Sequence, residues 1–154
     1  MIRLGSSIIF ALLRRRGGNT AIEFAMIAPI LAGMLVGMTD LGVGIYENME
    51  VRNAAQAGAQ YAIAKGWDST AIQNAVTGSS SMSGISASPA PAQSCGCASG
   101  TTIAAAACGS ACPGGATAGT YVTVNAQAKY TPLFAYPGLP SPMTLSAQST
   151  VRIQ

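Results

Sequence analysis

Four cysteines and five carboxylates are the side chains best suited to chemistry in this 154-residue chain, which contains no histidine. Cys95, Cys97, Cys108 and Cys112 sit in one Gly-, Ala- and Thr-rich segment. Their even number suits two disulfides in an oxidising compartment. Four thiolates could instead hold zinc, although C-x-C followed by C-x3-C departs from the usual C-x2-C knuckles and no His is available. If the segment is a hairpin, nested pairing of Cys97 with Cys108 and Cys95 with Cys112 is the natural arrangement. Each closed loop of about 10–20 residues then contributes about 3 kcal/mol of stability in the chain-entropy picture. Among the carboxylates only Glu47 and Glu50 stand close, at i, i+3 spacing, and they read as a solvated helix face. No nucleophile and base can be assembled. The glycines of Cys112-Pro113-Gly114-Gly115 lack the Lys of a phosphate loop. Neither enzyme activity nor a metal or other cofactor is expected.

Charge is sparse and uneven. Charged residues make up 8% of the chain, and the formal net charge is +3. Arg3, Arg14, Arg15 and Arg16 all precede residue 19, leaving four basic against five acidic residues in the remainder. Nucleic-acid binding needs a basic stripe to neutralise phosphates, so beyond the N-terminal arginines no nucleic-acid partner is expected.

The element that follows those arginines is apolar. From Phe24 to Met38 every residue is apolar, Gly or Pro, with Glu23 and Asp40 as brackets. A helix needs roughly 20 apolar residues to cross the ~30 Å hydrocarbon layer, and Thr20 to Leu41 supplies them. The arginines before the block and Asp40, Glu47 and Glu50 after it place the N-terminus in the cytoplasm by the positive-inside bias. Two other readings compete: a conventional signal peptide, whose small-x-small sites near Gly42 and Gly44 come late, and a buried core helix. For the second, the chain offers few large apolar residues to surround such a helix. Within the block, Gly33 and Gly37 form a small-xxx-small face on which another helix could pack. Pro29 removes one intrahelical hydrogen bond and is expected to kink or loosen its turn.

Beyond the block, 42–66 reads as a helical continuation with Ile45, Met49, Ala55, Ala59, Ala62 and Ile63 at spacings near three and four, stopping at Lys65-Gly66. Block and continuation together make one helix of about 45 residues, roughly 70 Å long. Asp68 can cap a short helix carrying Ile72 and Val76 and ending at Gly78. A flexible Ser-, Gly- and Pro-rich connector, 78–94, leads to the cysteine segment, 95–112. Strict alternation marks strands at 121–130 and 143–153, separated by prolines. The expected fold class is α+β: a long N-terminal helix, pilin-like in layout, continuing into a small antiparallel sheet of three to five strands in an extracytoplasmic domain, 67–154.

The most specific local pattern is Gly17-Gly18-Asn19-Thr20-Ala21-Ile22-Glu23-Phe24, set between the arginines and the apolar block. It resembles a prepilin-peptidase site. That resemblance implies cleavage after Gly18, which separates a basic leader, 1–18, from a span, 19–41, and makes Glu23 the fifth residue of the mature chain with an aromatic next to it. A carboxylate this deep is costly unless paired. In pilins the partner is thought to be a neighbouring subunit's new amine, here that of Asn19. A Glu snorkelling to the headgroups is the plainer alternative.

The runs Ala21-Ile22-Glu23-Phe24-Ala25-Met26-Ile27-Ala28-Pro29 and Asn53-Ala54-Ala55-Gln56-Ala57-Gly58-Ala59-Gln60-Tyr61-Ala62 resemble the TadE-like pilus-assembly family. Tyr130-Thr131-Pro132-Leu133-Phe134 and Pro137-Gly138-Leu139-Pro140 resemble it as well. The family often has Tyr where Phe24 stands. The resemblance implies a structural minor pilin or pseudopilin of a Tad (Flp, type IVc) pilus, held in the bacterial inner membrane with its C-terminal domain outside. Its implied partners are a prepilin peptidase, other pilins or pseudopilins, the inner-membrane Tad assembly platform and membrane lipid. The implied roles are Gly18 and Asn19 as scissile pair and Glu23 and Phe24 in assembly. The rival expectation is a permanently membrane-anchored module whose outer domain captures a ligand.

Overall fold

A run of alanines with a single glycine determines how closely the main helix can be approached, and the rest of the fold is arranged against it. The computed structural model describes residues 19–134, 136 and 138–154. Helix α1 spans Asn19–Lys65, and the helical assignment continues through Pro29 without a break. The chain divides into an N-terminal unit ending at Leu41 and a second unit, Gly42–Gln154.

In the second unit, α1 buries Val51, Ala54, Ala55, Gly58, Ala59 and Ala62. Of the residues whose spacing marked this helix, Ala55, Ala59 and Ala62 are buried, whereas the large ones are not. Ile45, Met49 and Ile63 are exposed, and the buried side is almost entirely alanine. Small side chains win this face because the neighbours come very close. A Cβ placed on Gly58 would meet Val76 Cγ2 at 2.6 Å and Val124 Cγ1 at 2.8 Å. Glycine inside a helix costs about 1 kcal/mol relative to alanine, and here it is retained where no Cβ fits.

Helix α2, Ser69–Gly78, supplies one of those neighbours. Asp68 is its N-cap, in extended conformation, with Oδ1 accepting from the Ala71 N–H at 3.0 Å. This satisfies one of the helix's orphan donors. Ile72 and Val76 are its buried residues, as their spacing indicates. Gly66, at φ +84°, provides the left-handed turn that ends α1.

Four strands follow: β1 (Ala92–Ser99), β2 (Thr102–Ala105), β3 (Gly119–Tyr130) and β4 (Met143–Arg152). They form one antiparallel sheet in the order β2-β1-β3-β4, so the fold class is α+β as expected. Period-two alternation puts Val122, Val124, Ala126 and Ala128 of the inner strand β3 into the core with α1 and α2. On β4, Leu145, Ala147 and Val151 pack against the same cluster. The opposite faces of these strands carry uncharged polar pairs: Thr123 and Thr150 hydroxyls lie 3.1 Å apart, and Gln148 Nε2 donates to Asn125 Oδ1 at 3.1 Å.

The segment expected to be a flexible connector is tied down. Ser86 and Gln127 exchange both backbone hydrogen bonds, at 2.9 and 2.8 Å, Ile85 is buried, and regular strand begins at Ala92. Glu50 also departs from expectation: rather than belonging to a purely solvated face, its Oε2 accepts from Ser80 Oγ at 2.5 Å, fastening α1 to the chain that leaves α2.

Overpacking of a tight core typically costs about 1–3 kcal/mol. Gly58→Val is therefore expected to lower the unfolding free energy by about that amount, seen as a lower urea midpoint followed by circular dichroism. An unchanged midpoint would contradict the close approach of α1 to α2 and β3.

Candidate assembly helix and cysteine staple

Of the residues assigned to processing and assembly, Gly18 lies outside the described residues and Asn19 is the first residue of α1. Glu23 and Phe24 are exposed on its second turn. A Cβ on Gly33 or Gly37 would have nothing within 4 Å, so this small-residue face is open. The most apolar 18-residue window of the helix has none of its residues buried, which makes α1 a candidate membrane span by length and composition.

At 3.6 residues per turn, Ile27, Met34, Met38, Ile45 and Ile63 fall within about 40° of one another around an ideal helix. All five are exposed. A contrasting residue is Asp40, which is 3% exposed and is the buried charged side chain among the described residues. Sequence reading placed it only as a bracket of the apolar block and missed its burial.

The cysteines form two disulfides, Cys95 with Cys108 and Cys97 with Cys112, with Cα–Cα distances of 5.1 and 5.6 Å. No described cysteine is free, so the zinc alternative loses its thiolates. The segment is a hairpin, but its pairing is interleaved, which corrects the nested expectation. The strand register explains the difference. Cys97 lies opposite Ala104, and the Ala106 N–H donates to the Cys95 carbonyl at 3.1 Å. The returning strand therefore passes Cys95 two residues before it reaches Cys108. A turn then reverses the chain: Ser110 N–H donates to the Ala107 carbonyl at 3.0 Å, and Gly109 takes φ +76°. The reversal carries Cys112 back to Cys97. Cys95 stands opposite Thr120, so Cys95 and Cys97 project from the same face of the sheet as Val122 and Val124.

Comparison with known proteins bears on the helix and not on the staple. The family model described as TadE-like protein matches residues 18–60. No curated protein and no solved structure matches the chain. Gly18, Asn19, Glu23, Phe24, Gly33 and Gly37 all fall within that matched segment. That segment ends at Gln60, so the likeness read at Tyr130–Phe134 and Pro137–Pro140 lies outside it.

The staple gives a direct test. With Cys95→Ala, the thiol freed for maleimide labelling is expected at Cys108, located by peptide mass spectrometry, together with a stability loss of about 3 kcal/mol. Labelling at Cys112 instead would restore the nested pairing.

Proposed function

We propose that this chain acts structurally as a minor pilin or pseudopilin in the biogenesis of a Tad (Flp, type IVc) pilus used for adherence. In this reading the inner membrane holds the unprocessed chain by α1, with the N-terminus cytoplasmic and the sheet domain outside. A prepilin peptidase cuts after Gly18, and the product joins other pilins or pseudopilins on the Tad assembly platform. The observation that carries the proposal is the TadE-like match beginning at residue 18, where the Gly18-Asn19 junction stands four residues ahead of Glu23.

Cleavage there leaves the new amine of Asn19 one helical turn from Glu23. Residues at i and i+4 share a helix face, so amine and carboxylate lie on one side of α1. Pairing each with the opposite group of a neighbouring subunit offsets the cost of taking the two charges into lipid. The open faces at Gly33 and Gly37 then allow α1 helices to pack closely, since lipid itself supplies no apolar drive for association.

The second reading, a permanently anchored binding module, has one observation in its favour. A cavity of about 340 Å³ on the second unit is lined by Ser88, Asn125, Gln127, Ser146, Ala147 and Gln148. Recovery of the unprocessed protein in membranes, and none in sheared surface filaments, would favour that alternative.

Mass spectrometry of the protein from cells with an active prepilin peptidase is expected to find Asn19 at the N-terminus, and an intact Met1 would refute processing. Glu23→Ala is expected to abolish assembly into filaments while leaving the circular dichroism of the sheet domain unchanged.

A further inference from the structure

On the outward face of the sheet, two residues of β3 stand directly opposite two of β4: Asn125 faces Gln148, and Gln127 faces Ser146. Period-two alternation points all four side chains away from the core that Val124, Ala126 and Ala128 enter. A further wall comes from the chain ahead of β1. There the Ser86–Gln127 backbone exchange and a long bond from Asn125 Nδ2 to the Pro89 carbonyl, 3.4 Å, hold Ser88 beside β3. Together with Ala147 these five residues line the cavity of about 340 Å³. Its volume lies at the small end of the range for pockets that take small molecules.

The lining is chemically uniform. Apart from Ala147 it consists of hydroxyls and primary amides, groups that donate and accept hydrogen bonds and carry no charge. Two of the amides are already oriented, because Gln148 Nε2 donates to Asn125 Oδ1 at 3.1 Å while Asn125 Nδ2 is turned to Pro89. Gln148 Oε1 is thereby left as an acceptor, and Gln127, Ser88 and Ser146 add groups of both kinds. We propose that this cavity binds a neutral mono- or disaccharide through the amides of Asn125, Gln127 and Gln148 and the hydroxyls of Ser88 and Ser146. The inference holds for either reading of the chain given above, since all of these residues belong to the second unit.

Other ligand classes fit the same lining worse. A phosphate, sulfate or uronic acid would give up its hydration for walls that hold no lysine or arginine. Lys129, two residues beyond Gln127 on the same face, is outside the lining. An apolar molecule would strip water from five polar side chains and return no hydrogen bond to them. A flat aromatic ligand would find no ring to stack on. A sugar ring carries hydroxyls that donate and accept around its rim, so each water bond lost from the walls is replaced by one of the same kind.

The test follows the side-chain amide NMR signals of the full chain, labelled with nitrogen-15, in a phosphocholine detergent that carries no sugar headgroup. The probes are lactose, maltose, methyl α-mannoside and N-acetylglucosamine. At least one of them is expected to shift the Asn125, Gln127 and Gln148 signals saturably, with an affinity of about 1 mM. Gln127→Leu and, separately, Ser146→Ala are each expected to weaken that affinity about fivefold, the loss of one neutral hydrogen bond. Lys129→Ala is expected to leave it unchanged. Both substituted side chains stand on the outward face, and an unaltered circular dichroism spectrum checks that the sheet is intact. Absence of a saturable shift with every one of these sugars, or shifts that neither substitution weakens, would overturn the proposal. Tighter binding of glucuronate than of the neutral sugars would overturn it too. Shifts produced by acetyl-Ala-Ala-Ala-amide and by no sugar would reassign the cavity to peptide.

Discussion

At Gly58 the α1 backbone comes so near to Val76 and Val124 that no β-carbon fits, and the residues on either side of it along the same face are alanines. Short side chains add little apolar area of their own, so the bulk of this core comes from the partners: Ile72 and Val76 on α2, and Val122 and Val124 on β3. Close-packed interiors reward such complementarity of large against small. The arrangement leaves the larger apolar residues Ile45, Met49 and Ile63 of α1 exposed.

Several of the elements were legible because short-range rules determine them. Asp68 before Ile72 and Val76 is a cap followed by a helical spacing, and the alternation from Tyr121 to Tyr130 is a strand signature that no other period imitates. The packing face of α1 was harder to read. Hydrophobic periodicity favours the largest side chains, and Ile45, Met49 and Ile63 attracted attention that belonged to Ala54 and Gly58. Which side of a helix is buried depends on what approaches it, and that is a tertiary fact. Glu50 shows the same limit, since its partner Ser80 lies thirty residues away and beyond a second helix.

The candidate site divides in the same way. The Gly18-Asn19 junction with Glu23 and Phe24 is a local pattern, and the TadE-like match covers it. The disulfide partners were not legible, because they follow from a two-residue offset in the β1–β2 register and from a reversal at Ala107–Ser110 that residue spacing does not encode. Symmetric closure is the natural guess for a hairpin. The chain instead turns back on itself and ties both cysteines of β1 to a second layer of loop.

The outward face of β3 and β4 has a further consequence. Its Thr123–Thr150 and Asn125–Gln148 pairs are hydroxyl and amide contacts, with no group that titrates near neutrality. The chain contains no histidine, the one side chain whose unperturbed charge changes between about pH 5 and 8. Contacts made through those pairs depend little on acidity, and neutral hydrogen bonds are far less sensitive to salt than exposed ion pairs. Those pairs therefore keep the same chemical character when pH and ionic strength change.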